Sequence, residues 1–111
     1  MPTTDRTAPA AADLNAAVDV LRLLADRTRL AILALLEAGE MGVGALADTL
    51  ERPVPAVSQH LAKLRSGNLV TSRREGTAVF YALSNPHISA LVTNALQHGE
   101  HLRYPVPPHH R

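Results

Sequence analysis

The segment Pro55-Ala56-Val57-Ser58-Gln59-His60-Leu61-Ala62-Lys63-Leu64-Arg65-Ser66-Gly67 constrains the fold more than any other stretch of this chain. Val57, Leu61 and Leu64 recur at i, i+4 and i+7, which lines them up on one side of a helix. Ser58, Gln59, Ala62, Lys63 and Arg65 fall on the other side, a ridge of hydrogen-bonding groups and cations. Pro55 suits the first turn of a helix, where its missing N–H is not needed. Gly67 and Asn68 are stop signals at the far end.

The residues that follow, Leu69 to Leu83, read as two strands around a turn near Glu75-Gly76. The second strand is expected over 77–83. There Val79, Tyr81 and Leu83 alternate with Ala78, Phe80 and Ala82, and either set suits the core. A polar-faced helix followed by a basic hairpin is the layout of a winged helix-turn-helix, which sets the helix in the major groove of DNA.

Charge supports this reading. Residues 1–51 hold eight acids and four Arg, a balance of −4, whereas residues 52–74 hold Arg52, Lys63, Arg65, Arg73 and Arg74 and no acid, a balance of +5. A positive block on the helix and hairpin is the electrostatic footprint of phosphate binding, although a charge run by itself is more often only a solvated face.

The remaining segments fit one small domain. Residues 1–11 lack periodicity and are expected to be a disordered arm. A first helix is expected from Asp13, as its cap, to Ala25, with Leu14, Ala17, Val18, Leu21 and Leu24 on one face. Asp26-Arg27-Thr28 breaks it, and a second helix of about 28–38 follows, nearly wholly buried through Leu30, Leu33, Ala34 and Leu36 and ended by Gly39. The third, Val43–Leu50, turns Val43, Leu46, Ala47 and Leu50 inward, and Leu50 is expected to lock against Leu61 and Leu64. A last helix opens at Asn85-Pro86, with Asn85 as cap, and runs to about Gly99. Its broad apolar stripe is Ile88, Leu91, Val92, Ala95 and Leu96. The domain is thus expected over residues 12–101, with an extended Pro-rich tail over 102–111. The fold class is mainly α with a small β-hairpin. A domain of 111 residues is marginal alone, so dimerisation is a natural remedy.

With no cysteine, disulfides and thiolate metal sites are excluded. No apolar run approaches the roughly 20 residues needed to cross a bilayer, and the polar N-terminus does not resemble a signal peptide. A cytoplasmic protein without a membrane partner is expected.

Five of the six histidines, His87, His98, His101, His109 and His110, lie in the last 25 residues, with Glu100 among them. Histidine is the commonest metal-binding side chain. His87 and His98 are eleven residues apart, so they share a helix face but sit roughly 16 Å apart along the axis. One helix therefore cannot close both onto one ion. An antiparallel second copy can, by bringing its His98 and His101 beside His87. Nitrogen and carboxylate donors without sulfur suit Ni(II), Co(II) or Zn(II) rather than Cu(I) or arsenite. If His109 and His110 fold back, the coordination number rises and favours Ni or Co over tetrahedral Zn. The bland alternative is that the tail histidines are solvated and idle. His60, on the DNA-facing helix, reads as a structural or phosphate contact rather than a ligand.

Residues Leu24-Ala25-Asp26-Arg27-Thr28-Arg29-Leu30-Ala31-Ile32-Leu33, Val57 to Leu64, Arg73-Arg74-Glu75-Gly76 and Phe80-Tyr81 closely resemble the arsenical-resistance-repressor (ArsR/SmtB) family of metal-sensing winged-helix repressors. The resemblance covers about residues 14–101. It implies a homodimer built on the first and last helices and an inducer ion that weakens operator binding. It also implies base readout by Ser58 and Gln59, with the wing on flanking DNA.

Two departures matter. Where the family's arsenic and lead sensors carry Cys-x-Cys, this chain has Glu40-Met41-Gly42-Val43-Gly44-Ala45-Leu46. The family's zinc-type site begins Asp-x-His, but Asn85 stands here in place of the carboxylate. The nickel/cobalt-responsive branch adds ligands from a His-bearing tail, and His87, Glu100, His101, His109 and His110 resemble its pattern.

The expected function is a repressor that binds an inverted-repeat operator through Ser58 and Gln59, with Lys63, Arg65, Arg73 and Arg74 on phosphates, released by Ni(II) or Co(II), with Zn(II) as a further candidate. The alternative is an activator, or a regulator that depends on a protein co-regulator to sense metal. An enzyme is not expected, since HExxH and a glycine-rich phosphate loop are both absent. Metal storage would leave residues 52–74 unexplained.

Overall fold

A computed structural model describes residues 6–104. The element order is α1 (Ala11–Leu24), α2 (Arg27–Leu36), β1 (Met41–Gly42), α3 (Val43–Leu50), α4 (Val54–Ser66), β2 (Val70–Glu75), β3 (Ala78–Leu83) and α5 (Pro86–Arg103). The helices surround one core, and the three strands form an antiparallel sheet in the order β1-β3-β2.

α3 and α4 form the helix-turn-helix pair. Val57, Leu61 and Leu64 of α4 are fully buried, with Leu46 and Ala47 of α3 and Ile32, Leu33 and Leu36 of α2. Leu50 packs against this cluster half-buried. The turn between α3 and α4 is closed by Glu51, a non-glycine residue at φ 54° whose N–H donates to the Asp48 carbonyl. Gly67 ends α4, and a Cβ there would collide with the Leu23 side chain of α1, so the glycine lets that leucine lie against the helix end. Asn68, at φ 62°, then turns the chain into β2.

The hairpin pairs Val70 with Leu83 through to Glu75 with Ala78, which leaves Gly76 and Thr77 as a two-residue turn with Gly76 at φ 62°. The turn therefore sits one residue later than the expected Glu75-Gly76. The sheet also settles which face of β3 is inward. Tyr81 and Leu83 join the core, whereas Phe80 lies under a wing arginine on the other face. β1 is too short to carry a sequence signal, and pairs Met41 with Tyr81 and Gly42 with Phe80.

Three helix ends depart from expectation. α1 begins at Ala11, and Asp13 lies in its first turn rather than capping it. α2 is capped by Asp26, whose Oδ1 accepts from the Arg29 N–H at 2.9 Å, and it ends at Leu36, short of residue 38. α5 continues past Gly99 to Arg103, so Leu102 and Arg103 are helical rather than extended. Gly99 is tolerated because one glycine costs only about 1 kcal/mol in a helix interior, and the turns around it are intact.

The first helix packs less than its pattern suggests. Leu24 is buried, but Leu14, Val18 and Leu21 are 46%, 42% and 54% exposed. On α5, Ile88 and Val92 are buried, while Ala95 and Leu96 are exposed. No helix among the described residues is long and apolar enough to cross a membrane.

Candidate nucleic-acid interface and metal ligands

α4 presents Ser58, Gln59, Ala62, Lys63 and Arg65 to solvent, because burying Val57, Leu61 and Leu64 leaves those positions on the outer side. Lys63 and Arg65 lie in the last turn and have no ion-pair partner among the described residues. Ser58 and Gln59 offer both donors and acceptors near the N-terminal half of the helix. This arrangement can read base edges, with cations set to meet phosphates.

The two wing arginines differ. Arg74 is exposed and without an ion pair among the described residues. Arg73 is fully engaged: its Nε donates to Glu40 Oε2 at 2.8 Å, its Nη2 also contacts Glu40, and its Nη1 donates to Glu75 Oε2 at 2.7 Å. Its guanidinium also lies 4.8 Å from the centroid of the Phe80 ring. The Arg73 hydrogen bond holds the Glu40 carboxyl below its ordinary range, and Glu40 and Glu75 raise the guanidinium further. Arg73, expected as a phosphate contact, also ties the wing to the chain just before β1 while its side chain stays 49% exposed. Sequence reasoning missed Glu40 because the pairing partner is 33 residues away.

His60 is a structural contact, the first of its two expected roles. Its Nδ1 lies 3.4 Å from Arg29 Nη1 and 3.9 Å from Asp26 Oδ1. The Asp26 carboxyl is held below its ordinary value, chiefly by the Arg29 backbone N–H, with the Arg29 and His60 charges adding to this.

The expected metal ligands separate into two groups. His87, His98 and His101 are exposed on α5, and Glu100 is half-buried. His109 and His110 lie outside the described residues. Among the described residues no group of three or more His, Asp or Glu side chains is gathered for a metal ion. Asn85 caps α5, its Oδ1 accepting from the His87 and Ile88 N–H groups at 2.9 and 3.3 Å. The donor types fit a borderline divalent cation, but one protomer's described residues do not converge on one.

Known proteins share both the sequence and the fold. A helix-turn-helix domain family model matches residues 24–73. The chain is 49% identical over 94 residues to the HTH-type transcriptional regulator KmtR of Mycobacterium tuberculosis, covering 85% of this chain and 72% of that protein. It is 40% identical over 86 residues to the HTH-type transcriptional repressor SmtB of the same organism, covering 78% of this chain and 64% of that one. Its fold is similar to the homodimeric winged helix-turn-helix DNA-binding domain from Mycobacterium bovis, at a TM-score of 0.77 and 31% identity, covering 89% and 92% of the two chains.

Proposed function

As the chain belongs to the ArsR/SmtB family of winged-helix transcriptional regulators, we propose that it is a repressor that acts as a homodimer on an inverted-repeat operator and is released by Ni(II) or Co(II), with Zn(II) the third candidate. Ser58 and Gln59 read the bases of one half-site, and Lys63, Arg65 and Arg74 contact phosphates. A second protomer supplies the other half-site. The observation that carries the DNA part is the outer face of α4, where polar and cationic side chains stand together over a fully buried apolar face.

The metal part rests on donor chemistry. His87, His98, Glu100 and His101 of α5, with His109 and His110, would hold the ion, and it would supply a fixed coordination geometry. Asn85, engaged as the helix cap, is not in the set. The exposed leucines and valine of α1 and the exposed end of the α5 stripe support an α1–α5 dimer surface. A coupling of about 1–3 kcal/mol between ion and operator would change affinity by roughly 5–150-fold, enough for a switch.

The test is a calorimetric titration of Ni(II), Co(II) and Zn(II) into wild type and His87→Ala, with affinity for a selected operator measured in parallel. Tight binding that depends on His87 and lowers operator affinity is expected. Metal binding with operator affinity unchanged would overturn the release mechanism and leave signalling to a protein co-regulator.

A further inference from the structure

Three helices converge on one guanidinium. Arg29, in the first turn of α2, donates from Nε to the Leu23 carbonyl at 2.7 Å and from Nη2 to the Arg22 carbonyl at 3.2 Å. Both carbonyls belong to the last turn of α1, where helix carbonyls lack intrahelical partners. The remaining nitrogen, Nη1, faces His60 Nδ1 of α4 at 3.4 Å. A guanidinium is planar and has no acceptor, so fixing two of its nitrogens on α1 fixes where the third points. In the tautomer that carries its proton on Nε2, His60 accepts from Nη1 at Nδ1. Asp26 holds the assembly from below, its Oδ1 on the Arg29 N–H and its Oδ2 3.8 Å from Nη1.

A second contact joins the same two helices. Leu23, whose carbonyl accepts from Arg29, presses its side chain against Gly67 at the C-terminal end of α4. The end of α1 thus holds α4 at two points, His60 and Gly67, about two turns apart. Two points fix rotation as well as position.

We infer that Arg29 and His60 are positioning residues for operator recognition: they set the rotation of α4 against the end of α1, so that Ser58 and Gln59 meet the base edges in register. His60 is adjacent to Gln59 but turned to the protein, so it holds the helix without touching DNA. Side-chain tips stand about 5–6 Å from a helix axis, so a rotation of about 10° displaces them by about 1 Å. That is enough to spoil a base hydrogen bond whose useful range is a few tenths of an ångström. Phosphate contacts by long, flexible Lys63 and Arg65 tolerate the same rotation. The arrangement also joins the reading helix to α1, the helix whose apolar face is left exposed, so its setting follows that of α1.

This role rests on the proposed operator binding but not on the metal. It is tested with the full-length chain, an operator selected by wild type from random DNA, and sonicated genomic DNA as the nonspecific competitor. His60→Leu deletes the acceptor, and His60→Asn keeps one close to the Nδ1 position. For His60→Leu, operator affinity should fall about tenfold with nonspecific affinity and thermal midpoint unchanged. His60→Asn should recover most of the loss, and Arg29→Lys, which loses the fork, should resemble His60→Leu. Unchanged operator affinity in His60→Leu would overturn the inference. So would equal losses on both DNAs, or a loss that His60→Asn does not recover, since those mark a purely structural residue. Failure of wild type to select any operator would instead overturn the DNA-recognition reading on which it stands.

Discussion

The helix-turn-helix with its wing and the α1–α5 surface are built to different degrees of completion. In α4 every large residue of the apolar stripe is fully buried, and the wing is tied down by Arg73 to Glu40 and Glu75. α1 buries only Leu24 of its apolar face, and α5 leaves Leu96 and Leu102 exposed. One protomer finishes the reading half with its own side chains. The other half displays apolar area and exposed histidines. A stable reading head on an unfinished platform is what a regulator needs if the relation between two heads is to be adjustable.

The largest expected effect separates the two regions by stability. Leu61→Ala should cost about 2–5 kcal/mol, because it leaves a cavity in a closed core. Leu21→Ala should cost the protomer under about 0.5 kcal/mol, and act instead on the concentration dependence of unfolding. Urea denaturation at two protein concentrations distinguishes them. A large, concentration-independent loss in Leu21→Ala would break the contrast.

The next effect sharpens the picture of the wing. Arg74→Ala should weaken DNA binding across sequences and lower the salt slope of affinity by about 1. Arg73→Ala should leave that slope nearly unchanged, since its charge is already matched by Glu40 and Glu75. Fluorescence anisotropy over a salt series measures both. Equal changes in slope would return Arg73 to the phosphate contacts.

The smallest effect concerns the joint between the regions. Asp26→Ala should cost about 1 kcal/mol through loss of the α2 cap. The folded state holds the Asp26 carboxyl below its ordinary value of 3.8, so its contribution is present above that value and lost as pH falls through the depressed one. Thermal melts of wild type and variant should therefore differ at neutral pH and converge only under strong acid. A difference that persists unchanged into strong acid would show that the charge of Asp26 is not involved.

Periodicity and punctuation determined a great deal here. Alternation at helical spacing located all five helices, Pro55 and Gly67 bracketed the recognition helix, and Asn85-Pro86 marked the start of the last. Those signals are local: a cap, a breaker or an apolar stripe acts within about four residues. Exposure of Ser58 and Gln59 was also legible, because it is the complement of burying Val57, Leu61 and Leu64. What only the tertiary structure decided depends on residues far apart in the chain. β1 exists because Met41 finds Tyr81, and the inward face of β3 was chosen by the packing of Tyr81 and Leu83 against the core. Arg73 is tied down because Glu40 lies beside it, and His60 became a helix anchor because Arg29 reaches it across 31 positions. A side chain's charge is written in the sequence, but whether that charge remains available is settled by the partner that folding places next to it.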